Sequence, residues 1–115
     1  MKIAKLSKAD CLSCMRDGEF PASVRSAAPK VVVVLTQSWC PQWLRMKSFI
    51  QEEELPAGWA VFSIEYDTED FFEEFLAFKE GTLGNDQVPY LRYYASGELS
   101  STSNYADRHD FLSRL

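Results

Sequence analysis

Three cysteines carry the sulfur chemistry open to this chain, and their spacing divides them into a pair and a single residue. Cys11 and Cys14 form a Cys-x-x-Cys pair, whereas Cys40 stands alone in the run Gln37-Ser38-Trp39-Cys40-Pro41-Gln42-Trp43. Pro41 suits the first position of a helix, where its missing N–H has no partner to lose. Cys40 then falls at a helix N-terminus, whose positive dipole end and unpaired N–H groups favour a thiolate. The thiolate is the nucleophile in disulfide exchange, so this position suits attack on a disulfide or another electrophilic sulfur. The plainer alternative is a buried, inert cysteine following a strand.

Cys-x-x-Cys spacing on a helix puts Cys11 and Cys14 on one face, which supports a reversible disulfide or half of a metal site. A closed zinc site takes four ligands, reached here only by adding Cys40 and the lone His109, so no metal site is expected. Metal handling by the pair alone stays open as a separate function class. Otherwise the pair is a local redox couple, a resolving partner for Cys40, or two core positions of an amphipathic helix. The resolving role needs Cα atoms within about 7 Å. It therefore depends on the path of residues 7–28. His109 has no partner implied by spacing and is expected at the surface.

The elements that position these residues follow from hydrophobic pattern. Lys30 to Leu35 is a β-branched run without polar alternation, the pattern of a central strand buried on both faces. After Pro41, Trp43, Met46 and Ile50 recur at helical spacing, with Leu44 and Phe49 widening the stripe. Gln51 to Leu55 and Pro56-Ala57-Gly58 should end that helix. Ala60 to Tyr66 alternates as a second strand. Asp70 and Glu73 have capping-box spacing at the next helix start, where Phe71, Phe75 and Phe78 share one face beside Phe72 and Leu76. Val88 to Tyr94, a turn at Ala95-Ser96-Gly97-Glu98, and Leu99 to about Thr102 read as a hairpin. Ala106 to Leu115 closes the chain as a short helix, with Phe111, Leu112 and Leu115 available to dock. Upstream, Lys2 to Leu6 is a short edge strand, and residues 7–28 are helical but broken at Gly18 and Pro21.

The expected fold is α/β: a mixed central sheet, parallel at its start and ending in an antiparallel C-terminal hairpin, flanked by helices. At 115 residues the chain is read as one domain, 1–115, with the helical region of about 7–28 at its N-terminal end. The formal net charge is −5, with six acidic residues between Glu65 and Glu74, and no basic footprint for nucleic acid is present. A solvated helix face and terminus accounts for that acidic cluster. No segment is long enough to span a bilayer, and the N-terminus lacks a signal-peptide core, so neither nucleic acid nor membrane is expected as a partner. The expected location is the cytoplasm, where thiols are kept reduced. An odd cysteine count argues against a purely structural disulfide framework.

With Val31-Val32-Val33-Val34-Leu35-Thr36 leading into Trp39-Cys40-Pro41, and Val88-Pro89 about fifty residues later, residues 30–115 resemble the thioredoxin-like superfamily, thioredoxin more than glutaredoxin. The resemblance implies that Pro89 is a cis-proline facing Cys40. It also implies that Trp39, Pro41, Trp43, Val88 and Pro89 line a shallow groove for an extended substrate segment. Two departures from the family pattern stand out. The family's resolving cysteine would sit three residues after Cys40, where this chain has Trp43, and its buried acid six residues before, where this chain has Val34. Trp43, one turn along, is also suited to core packing beneath Cys40.

These readings converge on a thiol–disulfide protein with Cys40 as single nucleophile. It would form a mixed disulfide with a protein or with a small thiol such as glutathione, without a cofactor. Resolution would come from an outside thiol or from Cys11 and Cys14. The alternative is a thioredoxin-fold binding module that has lost catalysis and pairs a partner's extended segment with the Val88–Pro89 edge.

Overall fold

Val31 to Leu35 are all fully buried and form the middle of strand β2 (Lys30–Thr36), in the computed structural model, which describes residues 2–54 and 57–114. A run of β-branched side chains favours an extended backbone, and with no polar alternation it must be covered on both faces. The sheet is built around it in the order β1-β3-β2-β4-β5, with β1 at Ile3–Lys5, β3 at Trp59–Glu65, β4 at Tyr90–Ala95 and β5 at Glu98–Ser103. β1, β3 and β2 run parallel; β4 is antiparallel to β2, and β5 to β4. This is the mixed α/β sheet expected, parallel first and closing in an antiparallel hairpin.

Successive β2 side chains feed two separate cores. Val31, Val33 and Leu35 point to a core shared with Cys11, Cys14 and Phe75. Val32 and Val34 point to another, shared with Cys40, Trp43 and Met46. Helices α1 (Lys8–Asp17), α2 (Ala22–Arg25) and α4 (Phe72–Gly81) cover the first face. Helices α3 (Pro41–Glu52) and α5 (Arg108–Ser113) cover the second. Each fully buried valine, leucine or phenylalanine contributes about 1.5–3 kcal/mol, so both faces are needed to hold the sheet.

The N-terminal region breaks where its sequence implies. Ser7 caps α1 by accepting from the Asp10 N–H at 3.0 Å, and Gly18 (φ 80°) ends the helix with its N–H on the Cys14 carbonyl. Pro21 then precedes α2. At the β4–β5 turn, Ser96 (φ 52°) and Gly97 (φ 81°) both take left-handed backbone. At Gly97 the left-handed backbone favours glycine, and a Cβ there would also push aside the Ser26 hydroxyl, 2.5 Å away.

Several expectations shift. β1 is shorter than Lys2 to Leu6: it spans Ile3–Lys5, although the Leu6 N–H still donates to the Ser63 carbonyl of β3 at 2.9 Å and its side chain is buried. β3 ends at Glu65, and Tyr66 starts a 3-10 turn (Tyr66–Thr68). The Asp70–Glu73 capping box does not form. α4 begins at Phe72 with no side-chain cap, while Asp70 accepts from Lys8 of α1 at 2.7 Å and Phe71 turns inward. Leu44 does not widen the α3 stripe: it is 52% exposed, a helical step round from the buried Trp43. Phe49 does widen it, packing edge-on against Phe111 at 5.9 Å. α3 ends at Glu52; the expected stop at Leu55 and Pro56, like the docking of Leu115, lies outside the described residues. No helix among the described residues is long and apolar enough to cross a membrane.

Candidate functional site at the end of the central strand

β2 ends at Thr36, and the chain crosses the edge of the sheet through Gln37, Ser38 and Trp39 before α3 begins. Cys40 is the N-cap residue of α3, with Pro41 as its first helical residue. The adjacent strand brings the other half of the site. Leu35 pairs with Tyr90, so the residues just before Tyr90 lie beside the end of β2. The Val88–Pro89 peptide bond is cis, and the Cys40 thiol donates to the Val88 carbonyl, Sγ to oxygen 3.7 Å. Cys40 is 3% exposed.

The 37–39 turn is pinned from the side. Ser38 donates through its backbone N–H and its hydroxyl to the two carboxylate oxygens of Asp67, at 2.8 and 2.6 Å. Gln37 bridges: its amide donates to the Tyr66 hydroxyl at 3.3 Å, and its carbonyl accepts from the Trp39 indole N–H at 2.6 Å. Burial pushes the Tyr66 phenol above its ordinary value. Trp39 stays 61% exposed, with its indole N–H tied to Gln37. Gln37, Tyr66 and Asp67 did not emerge from the sequence as site residues. Asp67 was visible only as one acid in a cluster whose local explanation is a helix terminus.

Trp39 and Pro41 are exposed and Val88 is half-buried, as suits a surface groove, while Pro89 is buried. Trp43 is not part of that surface. It is fully buried, and its indole N–H donates to Glu65 Oε2 at 2.9 Å. Val34, where an acid would stand in the family pattern, is fully buried among apolar neighbours. Thr36, paired with Glu65 across β2 and β3, is also buried, and its hydroxyl is without a hydrogen-bond partner among the described residues.

Cys11 and Cys14 lie on the opposite face of the sheet. Both are fully buried, and all three cysteines are free thiols. Burial, the largest cause, pushes the Cys11 and Cys14 thiols up to about 12. The structure does not bring them into one cluster with Cys40: they pack in the core on one face of β2, and Cys40 in the core on the other. Among the described residues no group of three or more His, Cys, Asp or Glu side chains is arranged to hold a metal ion. His109 is exposed.

No protein-family model matches the chain, and no curated protein matches it by sequence. Solved structures do. Oxidised thioredoxin O1 from Arabidopsis thaliana superposes with a TM-score of 0.69 at 13% identity, covering 98% of this chain and 94% of that one. A mutant thioredoxin from Halobacterium salinarum gives 0.66 at 17% identity, covering 97% and 86%. Oxidised thioredoxin from Plasmodium falciparum gives 0.65 at 14% identity, covering 97% and 93%. At these identities the likeness is one of fold.

Proposed function

The chain is a thioredoxin-fold protein, and from that premise we propose that it exchanges disulfides through Cys40 alone. The observation that carries this reading is the placement of the sulfur at the start of α3, against the backbone of the Val88–Pro89 segment. In the proposed step the Cys40 thiol loses its proton to solvent, and the thiolate attacks one sulfur of a disulfide. A Cys40–sulfur bond forms, the original disulfide bond breaks, and the other half leaves as a thiolate. A second, external thiolate then attacks the substrate sulfur of the mixed disulfide and returns Cys40 as thiolate. A protein thiol or glutathione serves as that external thiol, because Trp43 occupies the position from which internal attack would come. A reducing compartment such as the cytoplasm supplies such thiols.

The binding-module reading is favoured by the low exposure of Cys40 and by the apolar Val34 beneath the site. One experiment separates the two. Reduced native protein is treated with oxidised glutathione at pH 8, and the adducts are mapped by mass spectrometry. The exchange reading expects a glutathione adduct on Cys40 and none on Cys11 or Cys14. A Cys40 that stays free in the native protein, while the unfolded chain reacts, rejects exchange and leaves the binding module.

A further inference from the structure

Lys79 is 1% exposed, near the C-terminal end of α4; its ammonium lies over the Tyr90 ring, 5.8 Å from the centroid, and makes its hydrogen bonds to the loop that leads into Val88. It donates to the Gln87 carbonyl at 2.7 Å, to the Asn85 carbonyl at 3.0 Å and to Asn85 Oδ1 at 3.4 Å. All three acceptors are uncharged oxygens, and burial lowers the Lys79 pKa from its ordinary value. A buried cation without a carboxylate against it is a costly way to fill core space, and a methionine would fill it at less expense. What the ammonium does add is a single fixed path for residues 85–87.

The same network continues past the proline. Asn85 Oδ1 accepts from the Gln87 N–H at 3.0 Å and from Asn104 Nδ2 at 3.1 Å, and Asn104 Nδ2 also donates to the Pro89 carbonyl at 3.1 Å. The residues before and after Val88–Pro89 are thus held from both ends, and the Val88 carbonyl is the group presented to Cys40 Sγ. We propose that Lys79, with Asn104, is a positioning residue for the Val88–Pro89 segment, setting the backbone edge against which a disulfide substrate lies when Cys40 attacks. This rests on the exchange reading above. A substrate that must be aligned along that edge depends on Lys79, whereas a small reagent that needs only the sulfur does not.

The test compares wild type with Lys79→Met, which keeps an unbranched side chain one atom shorter and removes its donors, and with Asn104→Ala. Three quantities are measured: the rate of Cys40 modification by oxidised glutathione, its rate with iodoacetamide, and amide hydrogen exchange over residues 85–90. Both variants are expected to react with oxidised glutathione about ten- to a hundredfold more slowly. Their iodoacetamide rates should stay within about twofold of wild type, with faster amide exchange at Gln87. Equal slowing of both reagents together with a lower Tm makes Lys79 merely structural and overturns the proposal, as does no slowing of either. Should Lys79→Met fail to fold, Asn104→Ala decides on the same readouts. Should wild type not react with oxidised glutathione at all, it is the exchange reading that fails. Lys79 is then judged on hydrogen exchange alone, where unchanged protection over residues 85–90 overturns its role.

Discussion

The two faces of the sheet each hold buried cysteine beside a polar network, yet they are built for opposite ends. On the α1/α4 face, Cys11 and Cys14 sit in closed core. Nearby Arg92 donates to the hydroxyls of Tyr90 and Tyr94 at 3.0 and 2.9 Å and to Glu19 at 2.6 Å, and Tyr94 donates to the same carboxylate. Each of these donors has its acceptor inside the protein, and both thiols are held protonated by burial. On the α3/α5 face, Cys40 lies at the end of a strand, its thiol has only a carbonyl 3.7 Å away, and an exposed tryptophan flanks it. The Cys-x-x-Cys pair packs in the closed core of the α1/α4 side. The isolated cysteine lies on the side where exchange is proposed. Spacing alone does not make a thiol reactive; its place relative to a helix start also counts, and Cys40 is the cysteine at a helix N-cap.

The sharpest way to break that contrast is substitution of the thiols. Cys40→Ser should reduce glutathione incorporation in the native protein to background, whereas Cys11→Ala and Cys14→Ala should leave it near wild type; adduct mass mapping reads both. Loss of incorporation in the Cys11 or Cys14 variants would mean that the faces communicate after all.

Trp43→Cys adds a thiol one helical turn from Cys40. It should convert a persistent mixed disulfide into a transient one, ending as an internal disulfide between Cys40 and the introduced thiol, seen by peptide mapping. Removing the buried indole costs about 3–5 kcal/mol of stability, so denaturant unfolding belongs with the measurement. An adduct as long-lived as that of wild type would show that Trp43 is not what withholds internal resolution.

On the other face, Glu19→Ala strips the carboxylate from Arg92, whose side chain is 7% exposed. Because Glu19 itself is 31% exposed, the loss should fall at the lower end for broken buried pairs, about 3 kcal/mol in chemical denaturation. Cys40 reactivity should not change.

The last comparison is alkaline. Cys11 and Cys14 are acids whose folded pKa, about 12, lies above the ordinary 9.0. The unfolded chain therefore releases these protons first. Their contribution is fully present below about pH 9 and is lost as pH rises toward about 12, by about 1.4 kcal/mol per pH unit for each thiol. Tyr94, also raised by burial, adds to the decline with the same sign. Stability measured from pH 8 to 11 should fall less steeply in the Cys11→Ala, Cys14→Ala double variant than in wild type; identical slopes would contradict the sealed environment.

Much of this architecture was legible along the chain because it rests on short-range causes. The apolar run 31–35 had to be a central strand, Pro41 had to open a helix, and Gly18 and Pro21 had to interrupt one. The site was half legible. Trp39, Cys40 and Val88-Pro89 announced themselves, but Gln37, Tyr66 and Asp67 did not, since their roles depend on a turn after β3 meeting a turn after β2. Asp70 misled for the same reason: its spacing to Glu73 promised a cap, and Lys8, 62 positions away, took its carboxylate.

By itself the sequence determined which segments are strands and helices, that only one cysteine precedes a helix-opening proline, and that the position for a second one holds Trp43. These are matters of residue type, backbone preference and local period. Only the tertiary structure decided that Cys11 and Cys14 pack on the opposite face of β2 from Cys40, that Trp43 turns inward to Glu65, and that a buried lysine holds the loop ahead of Val88. The physical reason is that the strand period of two sends neighbouring side chains to opposite faces. Which face a distant helix covers is set by how the sheet is wound, and no local spacing carries that information.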